Sequence, residues 1–383
     1  MQYVVMVGQL MLSLSILIIL HELGHFLPAR WFNTRVEKFY LFFDPYFELF
    51  KKKIGDTEYG IGWLPLGGYV KIAGMVDESL DMEAMEKEPQ PWEFRSKPAW
   101  QRLIIMMGGV TVNFFLGIFI FAMLFLYYGE EYLPAQNAKY GIYTDSLGAK
   151  LGLREGDKVL SVGGKSFDKF NDRTVLRDII INNASDIVVE RDGQKVTLPI
   201  DGNMVQMVAS QANQKDKELF GARIPFIVKE VIKEKPASKV GIQAEDQIIG
   251  FNDIATPYFS DFQRQARMNK GKEITLSILR GKDTIRVKPT LDENGLLGVG
   301  RYSMDKFFEF QRQDYTFLSA FPAGASKGVG ILSDQIKAFG QMFKGKIKAS
   351  ESLGGFATMS KMYGYEWIWE RFWTMTAVIS MIL

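Results

Sequence analysis

The chain opens MQYVVMVGQLMLSLSILIILHELGHF, residues 1–26, and the reading of this stretch decides the rest. Met1 to Leu20 carries no charged residue. Roughly 20 apolar residues suffice to cross ~30 Å of hydrocarbon as a helix. Gly8, Gln9, Ser13 and Ser15 dilute the run without breaking it. A secretory leader would start on a basic residue and end on a small-residue cleavage site, and neither pattern is present. The expectation is a first membrane-spanning helix over residues 1–28 that ends in His21-Glu22-Leu23-Gly24-His25.

His21 and His25 are the two histidines of the 383-residue chain. At a spacing of four they share one face of a helix. Two imidazoles so placed can hold one zinc ion at ~2.0–2.1 Å. Glu22 is the next residue round. It can take a proton from a water activated by the metal and return it to a leaving amine. This is the logic of the H-E-x-x-H pattern, with His21 and His25 as metal ligands, Glu22 as catalytic base and Zn2+ as cofactor. The bland alternative is an interfacial anchor, but ionisable groups at the end of an uncharged span are costly and default to function. There is no cysteine, which excludes disulfides and thiolate zinc sites. A net charge of +2 implies no nucleic-acid partner.

A second uncharged run, residues 103–128, is long enough to span. The intervening segment, 29–102, carries Arg35, Lys51, Lys52, Lys53, Lys71 and Arg102, whereas Glu130 and Glu131 follow the second run. By the positive-inside rule the basic loop is cytoplasmic, and everything from about Gly129 onward lies on the other side. A third apolar run covers 372–383. As a helix it rises only ~18 Å, too short to cross, so it reads as the start of a truncated third span.

Between the second and third runs the composition is that of a soluble protein, and it repeats. Gly152-Leu153-Arg154-Glu155-Gly156-Asp157-Lys158-Val159-Leu160 aligns with Gly241-Ile242-Gln243-Ala244-Glu245-Asp246-Gln247-Ile248-Ile249. Each copy continues through a turn (Gly163-Gly164; Asn252-Asp253), a helix and a hairpin. The pattern resembles the PDZ fold, with copies at 129–205 and 220–292. Such domains add an extended chain end as a strand to a sheet edge. The pair either binds peptide or chain-end ligands or serves as a size filter. Residues 315–371 read as amphipathic membrane-surface helices, most clearly over 331–343. Their role is either gating or simple linkage.

Four blocks together resemble the site-2 protease family of intramembrane zinc metalloproteases, most closely its bacterial regulator-of-sigma-E branch. They are Ile19–Phe26, Tyr59–Met75 with Pro65-Leu66-Gly67-Gly68-Tyr69-Val70-Lys71, Gln101–Phe114, and the tandem PDZ pair placed after the second span. The resemblance implies a multi-pass α-helical membrane protein with a membrane-re-entrant β-hairpin and two inserted PDZ (α+β) domains. It implies a bacterial inner-membrane enzyme with the zinc motif near the cytoplasmic side and the PDZ domains in the periplasm. Its substrates would be single-span membrane proteins, such as anti-sigma factors or signal-peptide remnants, already shortened outside. Gly67, Gly68, Tyr69 and Val70 would hold substrate in the hairpin, since strand backbone at membrane depth is allowed where it lines a cavity. Asn113 would join them in binding substrate near the active site, or make an interhelical hydrogen bond.

The sequence departs from the family in three places. Val110 takes the place of a proline before Asn113, and Leu353-Gly354-Gly355-Phe356 replaces a Ser-Gly-Pro turn. The family's third zinc ligand, an Asp in a Leu-Asp-Gly context, is expected beyond Leu383. Asp44 and Glu48 fit no family pattern and are left unassigned. The competing function is a catalytically dead membrane adaptor whose PDZ domains recruit partners.

Overall fold

The computed structural model describes residues 2–65, 67–75, 88–212, 218–345 and 355–383. Leu66, Leu353 and Gly354, singled out above, lie outside them. The chain divides into two compact units, one of Met1–Glu130, Gln313–Ile336 and Leu353–Leu383, the other of Glu131–Arg312 and Lys337–Ser352.

The first unit is built on two long helices, α1 (Gln2–Trp31) and α2 (Ala99–Tyr128). Both are long and apolar enough to cross a membrane by length and composition. Each exceeds its expected bounds. α1 runs through Pro28, and α2 starts directly after Pro98, whose fixed φ suits the residue before a first turn.

Between them lie β1 (Val36–Leu41), β2 (Phe43–Ile54), β3 (Thr57–Leu64) and β4 (Tyr69–Ile72) in the order β2-β3-β1-β4. β2 and β3 form an antiparallel hairpin closing at Ile54 and Thr57. β1 runs parallel to β3 and antiparallel to β4. The stretch Tyr59–Met75 is therefore not a hairpin of its own, contrary to expectation. Its two strands flank β1 on opposite sides. Pro65 has no N–H to give a ladder, and Gly67-Gly68 carries the chain on to the far edge.

Among the described residues this unit also takes in most of α8 (Phe317–Phe343), with α9 (Phe356–Tyr363) and α10 (Trp369–Ile382). Residues 331–343 form the last part of one 27-residue helix rather than a helix by themselves. α10 packs Ala377 and Met381 against Ile120 and Phe121 of α2. Tyr363 and Phe372 pack on Leu10 of α1.

After β5 (Glu130–Tyr132), the second unit holds the repeat. Copy one runs β6 (Ile142–Thr144), α3 (Ser146–Lys150), β7 (Lys158–Val162), β8 (Lys165–Ser166), α4 (Asp172–Ile180), β9 (Asp186–Arg191) and β10 (Gln194–Pro199). It is completed by α5 (Gly202–Ala212) and β11 (Phe220–Ala222). Copy two runs β12 (Val228–Val231), α6 (Pro236–Lys239), β13 (Gln247–Phe251), β14 (Ile254–Ala255), α7 (Phe259–Met268), β15 (Leu276–Arg280), β16 (Asp283–Val287) and β17 (Val299–Arg301), with β18 (Gln311–Gln313) beyond it. The four-stranded sheets have the same topology, β10-β9-β7-β8 and β16-β15-β13-β14. In each, the turn residues (Gly163-Gly164; Asn252-Asp253) all take positive φ, as a two-residue hairpin turn requires.

Both copies share a buried latch. Arg191 grips Asp157 through two hydrogen bonds of 2.8 Å and donates a third to the Gly152 carbonyl. Arg280 does the same to Asp246 and Gly241. Spacings of 34 and 39 positions recur in both. Burial opposes ionisation of Asp246, but the Arg280 guanidinium and the Gln243 N–H overcome it and hold its carboxyl below the usual range.

The core of copy one takes in Val205, Val208, Leu219 and Phe220, and that of copy two takes in Leu297. The copies thus extend past 205 and 292, because the strands that close them, β11 and β17, pair with the opening strands β6 and β12.

Candidate metal centre

α1 turns His21 and His25 to the same face, and their Nε2 atoms converge to 3.3 Å. The rings meet edge to face, with centroids 5.0 Å apart. His25 Nδ1 lies 2.7 Å from the Ile105 carbonyl oxygen on α2. A carbonyl only accepts, so Nδ1 carries the proton and Nε2 presents its lone pair. His21 Nδ1 faces the side-chain amide of Asn113 at 3.1 Å. Asn113 is 1% exposed, and with its nitrogen toward His21 its oxygen is left buried without a partner. Turned over, the amide oxygen accepts the His21 Nδ1–H, and the Nε2 lone pair of His21 is also freed.

Two lone pairs so close repel unless a cation lies between them. Two ligand nitrogens at ~2.0–2.1 Å from a tetrahedral ion stand about 3.3 Å apart, the separation seen here. The pair therefore fits zinc. Among the described residues, no group of three or more His, Cys, Asp or Glu side chains is arranged to hold a metal ion.

Glycines create the space. A Cβ on Gly24 would strike the backbone of Gly108 and Gly109 on α2, so the helices cross there in backbone contact. Small residues permit such crossings. Pro28 adds to it, since it lacks the N–H that would bond the Gly24 carbonyl, and that carbonyl is the atom a Cβ on Gly108 would strike first. Any side chain on Gly109 would collide with both Nε2 atoms. Ser380 of α10 donates 2.7 Å to the Asn113 backbone carbonyl, fixing α10 to the same turn of α2.

Of the other residues singled out from sequence, Gly68 comes to the site. A Cβ there would lie 3.4 Å from Glu22 Cγ and would press on Ile18 and the Tyr40 carbonyl. Gly67 packs under the Phe43 ring. Tyr69 points its hydroxyl at Asp44. The Val70 side chain packs against a core of Ala29, Val36, Ile72 and Ile105. Among the described residues β4 has one strand neighbour, β1, and lies at the end of the sheet order. Sequence reasoning missed Gly108, Gly109 and the Ile105 carbonyl. The paired glycines within an apolar span were a signal for a close helix crossing; the carbonyl had none.

The profile of peptidase family M50 matches residues 9–383. The chain belongs to that family, the site-2 proteases. A Rickettsia conorii protein provisionally named a zinc metalloprotease is 33% identical over 238 residues, 60% of this chain and 62% of that protein. A Neisseria meningitidis protein of the same provisional name is 27% identical over 357 residues, covering 89% of this chain and 77% of that one. The Caulobacter vibrioides metalloprotease MmpA is 29% identical over 217 residues, covering 53% and 54%. The chain thus spans 62% and 54% of the Rickettsia and Caulobacter relatives' lengths. Membership in this family, with α1 and α2, points to a membrane protein.

Proposed function

We propose that this M50 chain carries the catalytic base and two zinc ligands of an endopeptidase that cuts single-span membrane proteins within or at the edge of the bilayer. The observation that carries the reading is the convergence of His21 and His25 Nε2 at 3.3 Å on the turn that bears Glu22. Zinc bound there would supply Lewis acidity, which makes water a nucleophile near neutral pH and polarises a carbonyl. His21 and His25 would hold the ion, with Asn113 and the Ile105 carbonyl fixing the ring tautomers. Glu22 takes the proton of the attacking water and passes it to the leaving amine. A helical peptide bond is shielded by its own ladder, so the substrate must unwind. β4, entered through Gly67 and Gly68 and last in the sheet order among the described residues, suits an added substrate strand.

The repeat modules support a PDZ-type reading, and with it a role in admitting substrates already shortened outside the membrane. Anti-sigma factors and signal-peptide remnants are the substrate class the family resemblance suggests. A bacterial inner membrane, with the modules in the periplasm and the zinc motif toward the cytoplasm, agrees with the basic loop and with the bacterial relatives. The same modules also favour a second reading, a membrane adaptor without catalysis.

Glu22→Gln in the full-length protein decides between them. The protease reading expects cleavage of an epitope-tagged single-span substrate to fall at least ~100-fold, as loss of general-base catalysis commonly does, with bound zinc retained. Unchanged cleavage, or purified protein devoid of zinc, would favour the adaptor.

A further inference from the structure

Beside the metal centre, Gly67 and Gly68 are held from both sides. The Phe43 ring fills the space a side chain on Gly67 would need, and Ile18, the Tyr40 carbonyl and Glu22 fill the space beside Gly68. Tyr69 follows at once. It is the register partner of Tyr40 across β1 and β4, and its ring stacks on Tyr40 (5.2 Å, 15°) and on Phe43 (6.4 Å, 12°). The ends of this stack are fastened by carboxylates. Tyr69 donates to Asp44 at 3.1–3.2 Å, and the fully buried Tyr40 donates toward Glu48 and Glu58 at 3.0 and 2.8 Å. Asp44 and Phe43 are neighbours at the start of β2, so one short segment grips both Gly67 and Tyr69.

We infer that Asp44 is a positioning residue. Through the Tyr69 hydroxyl it fixes the Gly67–Gly68 segment against Glu22, and so sets where an added substrate strand lies relative to the catalytic base. The contact itself rests on geometry alone; its consequence for cleavage rests on the protease reading. Neighbouring strands provide the stiffness, because a ring stack and a hydrogen bond to a charged acceptor together remove the freedom of a two-glycine hinge.

The chain has no cysteine, so a crosslink can report the contact directly. In membranes containing the full chain, Ile18→Cys with Gly68→Cys should form a disulfide on mild oxidation, since a Cβ on Gly68 would lie 2.7 Å from Ile18 Cγ2, a position that the sulfur of a cysteine at 18 can take. Adding Asp44→Ala or Tyr69→Phe should cut the crosslinked fraction several-fold, and Asp44→Asn, which keeps an oxygen in place, should restore it. In the otherwise native chain, Asp44→Ala should raise KM for a single-span substrate about tenfold with kcat changed less than about threefold, and zinc content should not change. An absent crosslink in the parent pair, or a crosslink indifferent to Asp44→Ala, overturns the inference. A crosslink that depends on Asp44 in a protein that cleaves nothing upholds the contact and sinks the protease reading instead.

Discussion

His25 donates its Nδ1–H to the main-chain carbonyl of Ile105, 2.7 Å away on the other long helix. The tautomer of one proposed zinc ligand is thus set by backbone, and no side-chain change at Ile105 can remove that acceptor. What can disturb it is the spacing of the helices. Gly109→Ala, which drives a methyl into both Nε2 atoms, should lower zinc affinity at least 10-fold, within the range that disturbed ligand support produces. Metal content of the purified protein, titrated with a chelator, checks this.

Asn113 acts on the other ring. Asn113→Ala removes the acceptor for the His21 Nδ1–H and should weaken zinc binding by about 10–100-fold. Asn113→Asp keeps an oxygen there and should retain most of it. Equal zinc affinity in all three proteins would reduce Asn113 to a packing residue.

The latch of the first module is a buried charge pair, with Asp157 fully covered. Asp157→Ala strands the Arg191 guanidinium and should cost that module about 3–5 kcal/mol. Denaturant unfolding of the parent and the variant, or the rate of proteolytic nicking between β7 and β9, would measure it.

Asp172, at the first turn of α4, gives a pH signature. Burial pushes its carboxyl above the ordinary carboxylate value, against a partly compensating bond from the Leu219 N–H at 3.2 Å. A carboxyl raised by folding binds its proton more tightly in the folded state. Its contribution is fully present below the ordinary value and is lost as pH rises through the raised one. Asp172→Asn should therefore gain thermal stability relative to the parent above that range and little below it. A Tm difference that does not vary with pH would contradict this.

Much of this architecture was legible in the chain. The apolar run ending in His21-Glu22-Leu23-Gly24-His25 announced a helix carrying a metal motif, because charge is so costly in a span. The Gly152–Leu160 and Gly241–Ile249 match announced two like modules. The sheet beside the site was not legible in the same way. Tyr59–Leu64 and Tyr69–Ile72 look like partners because they are close in sequence, yet each pairs with β1. Parallel pairing leaves no turn signature, and alternation alone says nothing about which strand lies next door. The closing strands β11 and β17 escaped for a similar reason, since each is short and pairs far back along the chain.

The hydroxyl of Ser380 holds the Asn113 carbonyl, and the Asn113 amide faces His21. With zinc on His21, as the protease reading proposes, docking of α10 and metal binding are thermodynamically linked. By reciprocity, whatever factor α10 docking contributes to zinc affinity, zinc must contribute to α10 docking. A pull that loosens this helix would be felt as weakened metal binding, and removal of the metal would be felt as a looser helix.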